Sequence, residues 1–222
     1  MLHNVAGTPL ILHVFNRVKA MGLFENVCVA TDHIDIKELI ESAGGKAFMT
    51  DPSLPSGTDR IISALAQMGK DYDYVVNVQG DEALISIDQL GPLVSLLNTD
   101  QVIDLATLCV SNFEKSSFKN PNCVKLVKSK DGNVLYFSRS SIPHHRDEAF
   151  TSFFQHVGVY AFSARAIGII KDLKESDLEK IERLEQLRWM EAGIKIHACE
   201  VKGTLIGVDT REDIERVELL LS

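Results

Sequence analysis

The chain has 222 residues, 45% of them hydrophobic, and a formal net charge of −8 at neutral pH. This length and apolar fraction suffice for one large α/β domain, and no apolar run reaches the about 18 residues that a membrane-spanning helix needs. The acidic balance argues against a general nucleic-acid-binding protein, because such proteins neutralise phosphates with a surplus of basic residues.

The cysteines favour a reducing compartment. None of the four, Cys28, Cys109, Cys123 and Cys199, forms a CxxC pair, and each lies in an apolar, strand-like stretch. Such thiols are usually free and buried in cytoplasmic proteins. The first residues also lack the charged and apolar regions of a secretory signal. We therefore predict a cytoplasmic protein that binds neither membrane nor nucleic acid.

Helical and strand periods alternate through the first eighty residues. Thr8 and Pro9 are predicted as the N-cap and first position of one helix, and Thr58 as the N-cap of another. Helices are predicted over 8–20, 36–43 and 58–68, and strands over 26–31, 46–50 and 74–79. This alternation predicts a doubly wound, mostly parallel α/β sheet.

The middle of the chain is antiparallel in character. Strands are predicted at 104–110, 123–128, 134–137 and 155–162, and Asp131-Gly132 is a strong hairpin signal between the second and the third. A helix from Ser176 to about Ala192, a strand at 194–201 and a last helix from Thr210 follow. We therefore predict a single domain over 1–222 with an inserted antiparallel platform at about 104–162.

One motif indicates a metal and a phosphate. The apolar run from Tyr74 ends in Val78-Gln79-Gly80-Asp81-Glu82. Ligands of α/β sheets bind beyond the carboxyl ends of the strands, where Gly80 would let the backbone approach a ligand and the carboxylates could hold Mg²⁺. The pattern of a strand followed by Gly and Asp is common, so it decides nothing alone.

Other motifs have both a functional and an ordinary structural interpretation. Ser56-Gly57-Thr58-Asp59-Arg60 would offer backbone N–H groups and a cation to a ligand, or would simply cap a helix. Lys125 could contact a phosphate or carboxylate after a turn. His156 and Tyr160 are four apart on a strand and should share a face. Glu185-Gln186 could equally belong to a solvated helix face, and Asp209 is either a neighbour of an N-cap or a second metal-binding carboxylate.

The order of these motifs resembles that of the 3-deoxy-manno-octulosonate cytidylyltransferase family. The resemblance runs from about residue 5 to the end. The motifs that carry it are Ala30-Thr31-Asp32, Ser56-Gly57-Thr58-Asp59-Arg60, Val78-Gln79-Gly80-Asp81-Glu82, Asn120-Pro121-Asn122, Tyr136-Phe137-Ser138-Arg139, His156-Val157-Gly158-Val159-Tyr160, Leu184-Glu185-Gln186-Leu187-Arg188 and Gly207-Val208-Asp209-Thr210.

The resemblance implies a nucleotide-diphospho-sugar transferase fold and an activity. CTP would react with an acidic eight-carbon sugar to give CMP-sugar and pyrophosphate for lipopolysaccharide biosynthesis. Asp81 and Asp209 would be the catalytic Mg²⁺ ligands. The residues on the cytidine side would be Ser56, Gly57, Thr58, Arg60 and Gln79. The sugar-acid pocket would comprise Arg139, His156, Tyr160, Glu185 and Gln186. Similar enzymes are homodimers that associate through the platform.

The chain departs from the family pattern at its start. Members of the family begin with a strand and a basic, glycine-rich loop that grips the CTP phosphates, and this sequence shows no counterpart. We expect a missing N-terminal segment. Two alternatives to the cytidylyltransferase stay open: a nucleotidyltransferase for another acid sugar, and an inactive binding remnant without the phosphate loop.

Overall fold

The computed structural model of the chain describes residues 1–99, 101–146, 150–203, 208 and 211–221. Contacts divide it into two compact units. The first unit comprises residues 1–70, 77–91 and 204–222, and the second comprises 71–76 and 92–203. The prediction of a single domain with an insertion at about 104–162 stays a prediction. None of the helices in the described ranges is long and apolar enough to cross a membrane.

The first unit begins with a short hairpin that the sequence analysis missed. Strands β1 (Asn4–Val5) and β2 (Thr8–Pro9) pair antiparallel, and helix α1 follows at Leu10–Ala20. The predicted cap was therefore wrong: Pro9, with extended ψ of 137°, is the N-cap and Thr8 belongs to the hairpin. The hairpin continues past Thr8 because Leu10 N–H donates to His3 O (2.9 Å), so the helix starts only at Leu10.

The remainder of the first unit follows the predicted alternation. Its elements are β3 (Cys28–Thr31), α2 (Ile34–Ser42), β4 (Lys46–Met49), α3 (Gly57–Met68) and the last helix α9 (Arg211–Leu221), while α4 (Ile87–Leu97) begins in this unit. Strands β3 and β4 are parallel. Helices α1 and α2 bury Phe15 and Ile40 against Ala47 of β4, which fixes both helices on this pair of strands.

The second unit is built on a six-stranded sheet. Five strands lie in the order β10-β6-β9-β7-β8, and β5 pairs with β9. Their bounds are β5 (Tyr74–Asn77), β6 (Leu105–Asn112), β7 (Lys125–Lys128), β8 (Val134–Ser138), β9 (Phe153–Ser163) and β10 (Ile196–Glu200). Strands β6 and β10 are parallel, whereas β6–β9, β7–β9 and β7–β8 are antiparallel. The antiparallel character predicted for the middle of the chain is confirmed.

The helices of the second unit are short. They are α5 (Lys115–Lys119), α6 (Ala164–Ile170), α7 (Asp177–Glu182) and α8 (Gln186–Glu191). Ser176 caps α7 in a capping box with Glu179, as its position predicts. The single helix predicted from Ser176 to Ala192 was wrong, because Arg183 takes a left-handed conformation (φ 53°) and ends α7.

The tip of the β7–β8 hairpin docks on strand β10. Ala198 N–H donates to Gly132 O (2.9 Å), and Asn133 forms an isolated bridge with His197. Gly132 has φ 88°, and a β-carbon there would lie 2.5 Å from two atoms of the His197 ring. Gly193 has a similar φ of 82°, yet a β-carbon there would meet nothing within 4 Å. An alanine would therefore strain the backbone at both glycines, but its β-carbon would clash with a neighbour only at Gly132.

We predict that Gly132→Ala destabilises the protein more than Gly193→Ala. Both variants place alanine in the left-handed region, which costs about 1–2 kcal/mol, but only the first also forces the His197 ring away. Free energies of unfolding from urea titration measure the difference. Adding His197→Ala should bring the cost of Gly132→Ala down to that of Gly193→Ala. Equal losses for the two single variants would contradict the steric argument.

Candidate functional site

The N-terminus of α3 carries the first group of predicted residues. Ser56 Oγ accepts the N–H of Asp59 (3.2 Å) and donates to Asp59 Oδ2 (2.6 Å). The predicted N-cap, Thr58, was therefore wrong: Thr58 lies inside the helix and is buried. Ser56 is the N-cap because its hydroxyl oxygen accepts the backbone N–H three residues later, at Asp59, and Ser is a preferred N-cap residue. The helix presents the positive end of its dipole here.

Two amide side chains lie against this helix start. A β-carbon at Gly57 would be 3.5 Å from Gln79 Nε2 and 3.9 Å from Asn77 Nδ2. Both amides come from the end of β5 and the turn after it, and each offers one acceptor and two donors. Sequence reasoning named Gln79 and missed Asn77. The signal was available, because residues two apart on a strand share a face.

Arg60 holds the ends of two strands. Its Nη2 donates to Asp32 Oδ2 (2.6 Å) and its Nη1 to Thr50 Oγ1 (2.9 Å). Asp32 directly follows β3 and Thr50 directly follows β4, so the guanidinium ties both carboxyl ends to α3. This contact explains why Ala30-Thr31-Asp32 belongs to the ordered motifs. Arg60 therefore fixes the loop formed by residues 56–58 to the ends of β3 and β4.

The Gly80-Asp81 turn lies between β5 and α4. A β-carbon at Gly80 would meet Met1 Sδ at 2.8 Å and Ile11 Cδ1 at 3.0 Å. The close approach expected between Gly80 and a ligand is thus an approach to the protein itself. Asp81 O accepts the N–H groups of Ala83 (3.0 Å) and Val208 (3.2 Å). Val208 precedes Asp209, and Asp209 lies outside the described residues.

The carboxylate oxygens available here are of the type that binds a magnesium ion. No three His, Cys, Asp or Glu side chains cluster as a metal site within the described ranges. Mg²⁺ is usually held by one or two carboxylates together with waters and substrate phosphates, rather than by an all-protein cage. A carboxylate such as Asp81, at the end of an α/β strand, suits that coordination.

In the second unit, Arg139 clamps the break between α7 and α8. Its Nε donates to Glu182 O (2.7 Å), Nη1 to Pro121 O (3.1 Å) and Nη2 to Arg183 O (3.3 Å). The Glu182 carboxylate in turn accepts the N–H of Arg139 (2.9 Å) and the hydroxyl of Ser138 (2.6 Å). The guanidinium has five N–H groups, so two remain beyond these three hydrogen bonds.

Lys125 contacts the protein and not the phosphate or carboxylate that the sequence analysis considered for it. The side chain is fully buried, and Nζ donates to the carbonyls of Asn120 (2.9 Å), Cys123 (2.7 Å) and Arg139 (2.5 Å). Burial lowers the pKa of Lys125. An ammonium has three donors, and all three are used. A direct contact with a phosphate or carboxylate would break one of these bonds, so Lys125 positions Arg139 and the turn before β7.

His156 and Tyr160 share a face of β9, as predicted from their spacing. Their ring centroids are 5.3 Å apart. Burial lowers the pKa of His156 to about 3, and burial followed by the charge of Glu185 raises the pKa of Tyr160. Both side chains are therefore neutral at physiological pH. His156 Nε2 lies 3.0 Å from Thr107 Oγ1.

Helix α8 adds buried N–H groups to this region. Gln186 is 4% exposed, and its Nε2 has no hydrogen-bond partner among the described residues. The same holds for Nε1 of the fully buried Trp189, whose ring meets Tyr160 edge-on at 5.1 Å. An unsatisfied buried donor costs about 1–3 kcal/mol. These groups would be satisfied by the oxygens of a polar ligand.

Trp189 is a candidate site residue, because its buried Nε1 lacks a hydrogen-bond partner among the described residues, and sequence reasoning missed it. It lies four residues after Glu185 and three after Gln186, so all three fall on one side of a helix. The signal was this spacing. It was hidden because one long amphipathic helix was predicted, in which a tryptophan after Leu187 and Arg188 is ordinary core.

Comparison with known proteins gives the family. Residues 1–196 match the family model described as "Cytidylyltransferase". The chain belongs to the cytidylyltransferase family. It is 38% identical over 232 residues to the 3-deoxy-manno-octulosonate cytidylyltransferase of Parabacteroides distasonis, covering 100% of this chain and 91% of the relative. It is 40% identical over 222 residues to that of Acidobacterium capsulatum, covering 100% and 89%.

Solved structures agree. The structure of CMP:2-keto-3-deoxy-manno-octonic acid synthetase complexed with CTP matches with a TM-score of 0.92 and 35% identity, covering 99% of this chain and 90% of that one. A putative glucose-1-phosphate thymidylyltransferase from Bacillus anthracis matches with a TM-score of 0.64 at 15% identity, which concerns the fold alone. The predicted fold, that of an α/β nucleotide-diphospho-sugar transferase, is confirmed by this likeness, and so is the predicted enzyme class, a nucleotidyltransferase.

The depressed pKa of His156 has a consequence for stability. Unfolded histidine titrates near 6.5, whereas His156 in the folded protein titrates at about 3. Between these values the unfolded chain binds a proton that the folded chain does not, so the free energy of unfolding falls as the pH falls. We predict that this histidine removes about 2 kcal/mol of stability between pH 7 and pH 5.

The measurement compares urea denaturation of the wild type and His156→Gln at the two pH values. The variant should lose about 2 kcal/mol less than the wild type over this interval. His144→Gln is the matched control, because His144 is exposed. A variant that loses as much stability as the wild type on acidification would contradict the buried, neutral state of His156.

Proposed function

We propose that the chain transfers the cytidylyl group of CTP to 3-deoxy-manno-octulosonate and releases pyrophosphate, a reaction of lipopolysaccharide biosynthesis. The observation that carries the proposal is the likeness to 3-deoxy-manno-octulosonate cytidylyltransferases, which extends over the whole chain. The neutral, buried polar groups of the second unit support a sugar ligand. The proposed partners are therefore CTP and an acidic eight-carbon sugar.

The reaction needs positioning more than covalent chemistry. A sugar hydroxyl attacks the α-phosphorus of CTP, its new oxygen–phosphorus bond forms as the bond to pyrophosphate breaks, and the hydroxyl proton is lost. Holding the two substrates in line lowers the entropic part of the barrier, and fixed dipoles stabilise the charge that develops. No covalent intermediate with the protein is required.

We assign the cytidine side to the first unit. The amides of Gln79 and Asn77 lie against Gly57, and amides can both donate to and accept from the edge of a base. Ser56, Gly57 and Thr58 supply the start of α3, whose dipole favours a phosphate or another anion. Arg60 holds this loop through Asp32 and Thr50.

We assign the sugar acid to the second unit. The pocket residues are Arg139, His156, Tyr160, Glu185 and Gln186. The unpaired Gln186 Nε2 supports this assignment, since a sugar oxygen would satisfy it. The two remaining N–H groups of Arg139 suit a carboxylate, which accepts paired hydrogen bonds from a guanidinium. Glu185 accepts from Arg188 Nη2 (2.8 Å), which fixes the position of its carboxylate.

We assign magnesium to Asp81 and Asp209. The hydrogen bond from Val208 N–H to Asp81 O supports this pairing, because it joins the residue before Asp209 to Asp81. When bound, the ion would neutralise triphosphate charge and acidify the attacking hydroxyl. The carboxylates themselves would only hold it, beyond the carboxyl end of β5.

The oligomeric state and the compartment complete the proposal. A homodimer is supported by large apolar side chains exposed in the platform, Phe113 (72%) and Leu135 (61%). Sedimentation velocity should then give about twice the chain mass of 24.6 kDa, and a monomer at micromolar concentration would refute the dimer. A cytoplasmic location is supported by four free cysteines, of which Cys109 has its pKa raised by burial to about 12.

Pyrophosphate release tests the reaction. With CTP, Mg²⁺ and 3-deoxy-manno-octulosonate, the chain should release pyrophosphate and form the CMP-sugar in equal amounts. Turnover with another acidic sugar only would favour the related nucleotidyltransferase. CTP binding by calorimetry without turnover of any acidic sugar would favour the inactive binding protein.

We predict that Asp81→Asn lowers turnover by on the order of 10²-fold or more, since a catalytic metal ligand contributes several kcal/mol to the transition state. The loss should be largest at limiting Mg²⁺. Asp88→Asn is the control, because Asp88 is an exposed carboxylate in the first turn of α4. Near-normal activity of Asp81→Asn at limiting Mg²⁺ would remove Asp81 from the metal site.

A further inference from the structure

We propose that Thr107 is a positioning residue that fixes the tautomer of His156. In this arrangement His156 carries its proton on Nε2 and presents Nδ1 as an acceptor for a hydroxyl group of the sugar substrate. The substrate part of this inference rests on the proposed function, whereas the tautomer does not.

The geometry begins with a bulge between β6 and β9. Thr107 pairs with Tyr160 and the next residue, Leu108, pairs with Val157, so the register shifts between them. The bulge brings two carbonyls of β9 to the Thr107 hydroxyl. Oγ1 lies 2.8 Å from Val159 O and 3.2 Å from Val157 O. Thr107 is fully buried, so water does not compete for these bonds.

The protons then follow from counting donors. A threonine hydroxyl has one hydrogen and two lone pairs. Both carbonyls can only accept, so the hydrogen points to one of them, and the shorter distance favours Val159 O. Toward His156 Nε2, at 3.0 Å, Oγ1 therefore presents a lone pair. Nε2 must carry the hydrogen, because two lone pairs facing each other at this distance would repel.

The other ring nitrogen is then an acceptor. A neutral imidazole has one protonated nitrogen and one bare nitrogen, and the ring stays neutral because burial lowers its pKa to about 3. No described residue donates to Nδ1. The ring plane is held by edge-on contact with Phe137 (5.1 Å) and by Tyr160 (5.3 Å). Nδ1 therefore keeps one fixed direction.

This acceptor selects one side of an acidic sugar. A bare nitrogen accepts from a hydroxyl and repels a carboxylate, whose oxygens are also acceptors. The N–H groups of Gln186 and Arg139 have the opposite preference. A sugar acid would therefore bind with a hydroxyl toward His156 and with its carboxylate away from it. Substrate analogues that lack this hydroxyl should bind less well, because they leave Nδ1 desolvated and unpaired.

The tautomer is measured by ¹⁵N NMR of the wild-type protein labelled at histidine. Protonated and bare ring nitrogens resonate far apart, and the one-bond proton coupling identifies which nitrogen carries the hydrogen. We expect His156, assigned by comparison with His156→Gln, to show a protonated Nε2 and a bare Nδ1. Adding 3-deoxy-manno-octulosonate should shift the Nδ1 signal. A protonated Nδ1 in the wild type would overturn the proposal.

Kinetics separate a positioning role from a merely structural one. Thr107→Val removes the hydroxyl and keeps the shape, and it should raise KM for the sugar acid roughly tenfold, the value of one lost hydrogen bond. KM for CTP should stay within about twofold, and Thr107→Ser should restore the low KM for the sugar acid. Thermal denaturation verifies that each variant is folded. If Thr107→Val does not fold, the KM of Thr107→Ser for the sugar acid and the ¹⁵N spectrum of the wild-type protein decide whether Thr107 has the positioning role.

The outcomes are distinguishable from failure of the proposed function. Absence of turnover in the wild type refutes the cytidylyl transfer, and the ¹⁵N spectrum still decides the tautomer. Turnover in the wild type with equal KM in Thr107→Val and an unchanged tautomer refutes the positioning role alone. A rise in KM for both substrates would show that Thr107 supports the fold and not the sugar site.

Discussion

The proposed sugar site of this enzyme depends on two cations that bind backbone carbonyls, the fully buried Lys125 and the half-buried Arg139. Lys125 gathers three carbonyls and Arg139 another three, including those of Glu182 and Arg183 at the break between α7 and α8. A helix that ends inside a protein leaves carbonyls that must find donors. Arg139 supplies them, so the chain can stop at Arg183 and start α8 in a new direction. Without these donors, the carbonyls at the end of α7 would lack hydrogen bonds, which would favour a continuous helix.

The break between α7 and α8 decides which side chains face the proposed sugar pocket. In one continuous helix, Glu185, Gln186 and Trp189 would follow the phase set from Ser176. The left-handed residue Arg183 resets that phase. Gln186 and Trp189 are both buried in α8, and the Trp189 indole packs edge-on against Tyr160. The protein accepts unpaired N–H groups there, which is costly in a folded core. Such a cost is typical of a site that a ligand completes.

Sequence patterns predicted the alternating elements, the β7–β8 hairpin and the start of a helix at Ser176, because each depends on neighbouring residues. They failed where distant parts of the chain decide. The break at Arg183 depends on Arg139, forty-four residues away (183 − 139), and no local feature of 176–192 announces it. Pro9 likewise looked like a first helical residue, although the hairpin bond to His3 moves it outside the helix.

The candidate site was predictable as a set of residue types but not as a set of roles. Sequence analysis named Arg60, Lys125 and Arg139, and a sequence gives no means of knowing whether a cation faces a ligand or the protein. That depends on burial and on carbonyls supplied by other segments. Conversely, Thr107 belongs to no motif. Its proposed role depends on a bulge that places two carbonyls and an imidazole around one hydroxyl. No sequence pattern of the chain predicts that bulge.

These roles bear on how an acidic chain handles acidic substrates. The three cations proposed as site residues all make hydrogen bonds within the protein: Arg60 to Asp32 and Thr50, Arg139 and Lys125 to carbonyls. The net charge is −8, and both CTP and a sugar acid are anions. The anion contacts proposed for these substrates are therefore oriented N–H groups, including the two that remain on Arg139, and the positive end of the α3 dipole. A divalent cation at Asp81 would supply the remaining charge. The protein would then fix directions and the metal would neutralise the triphosphate, which accords with a transfer reaction that needs alignment more than a reactive side chain.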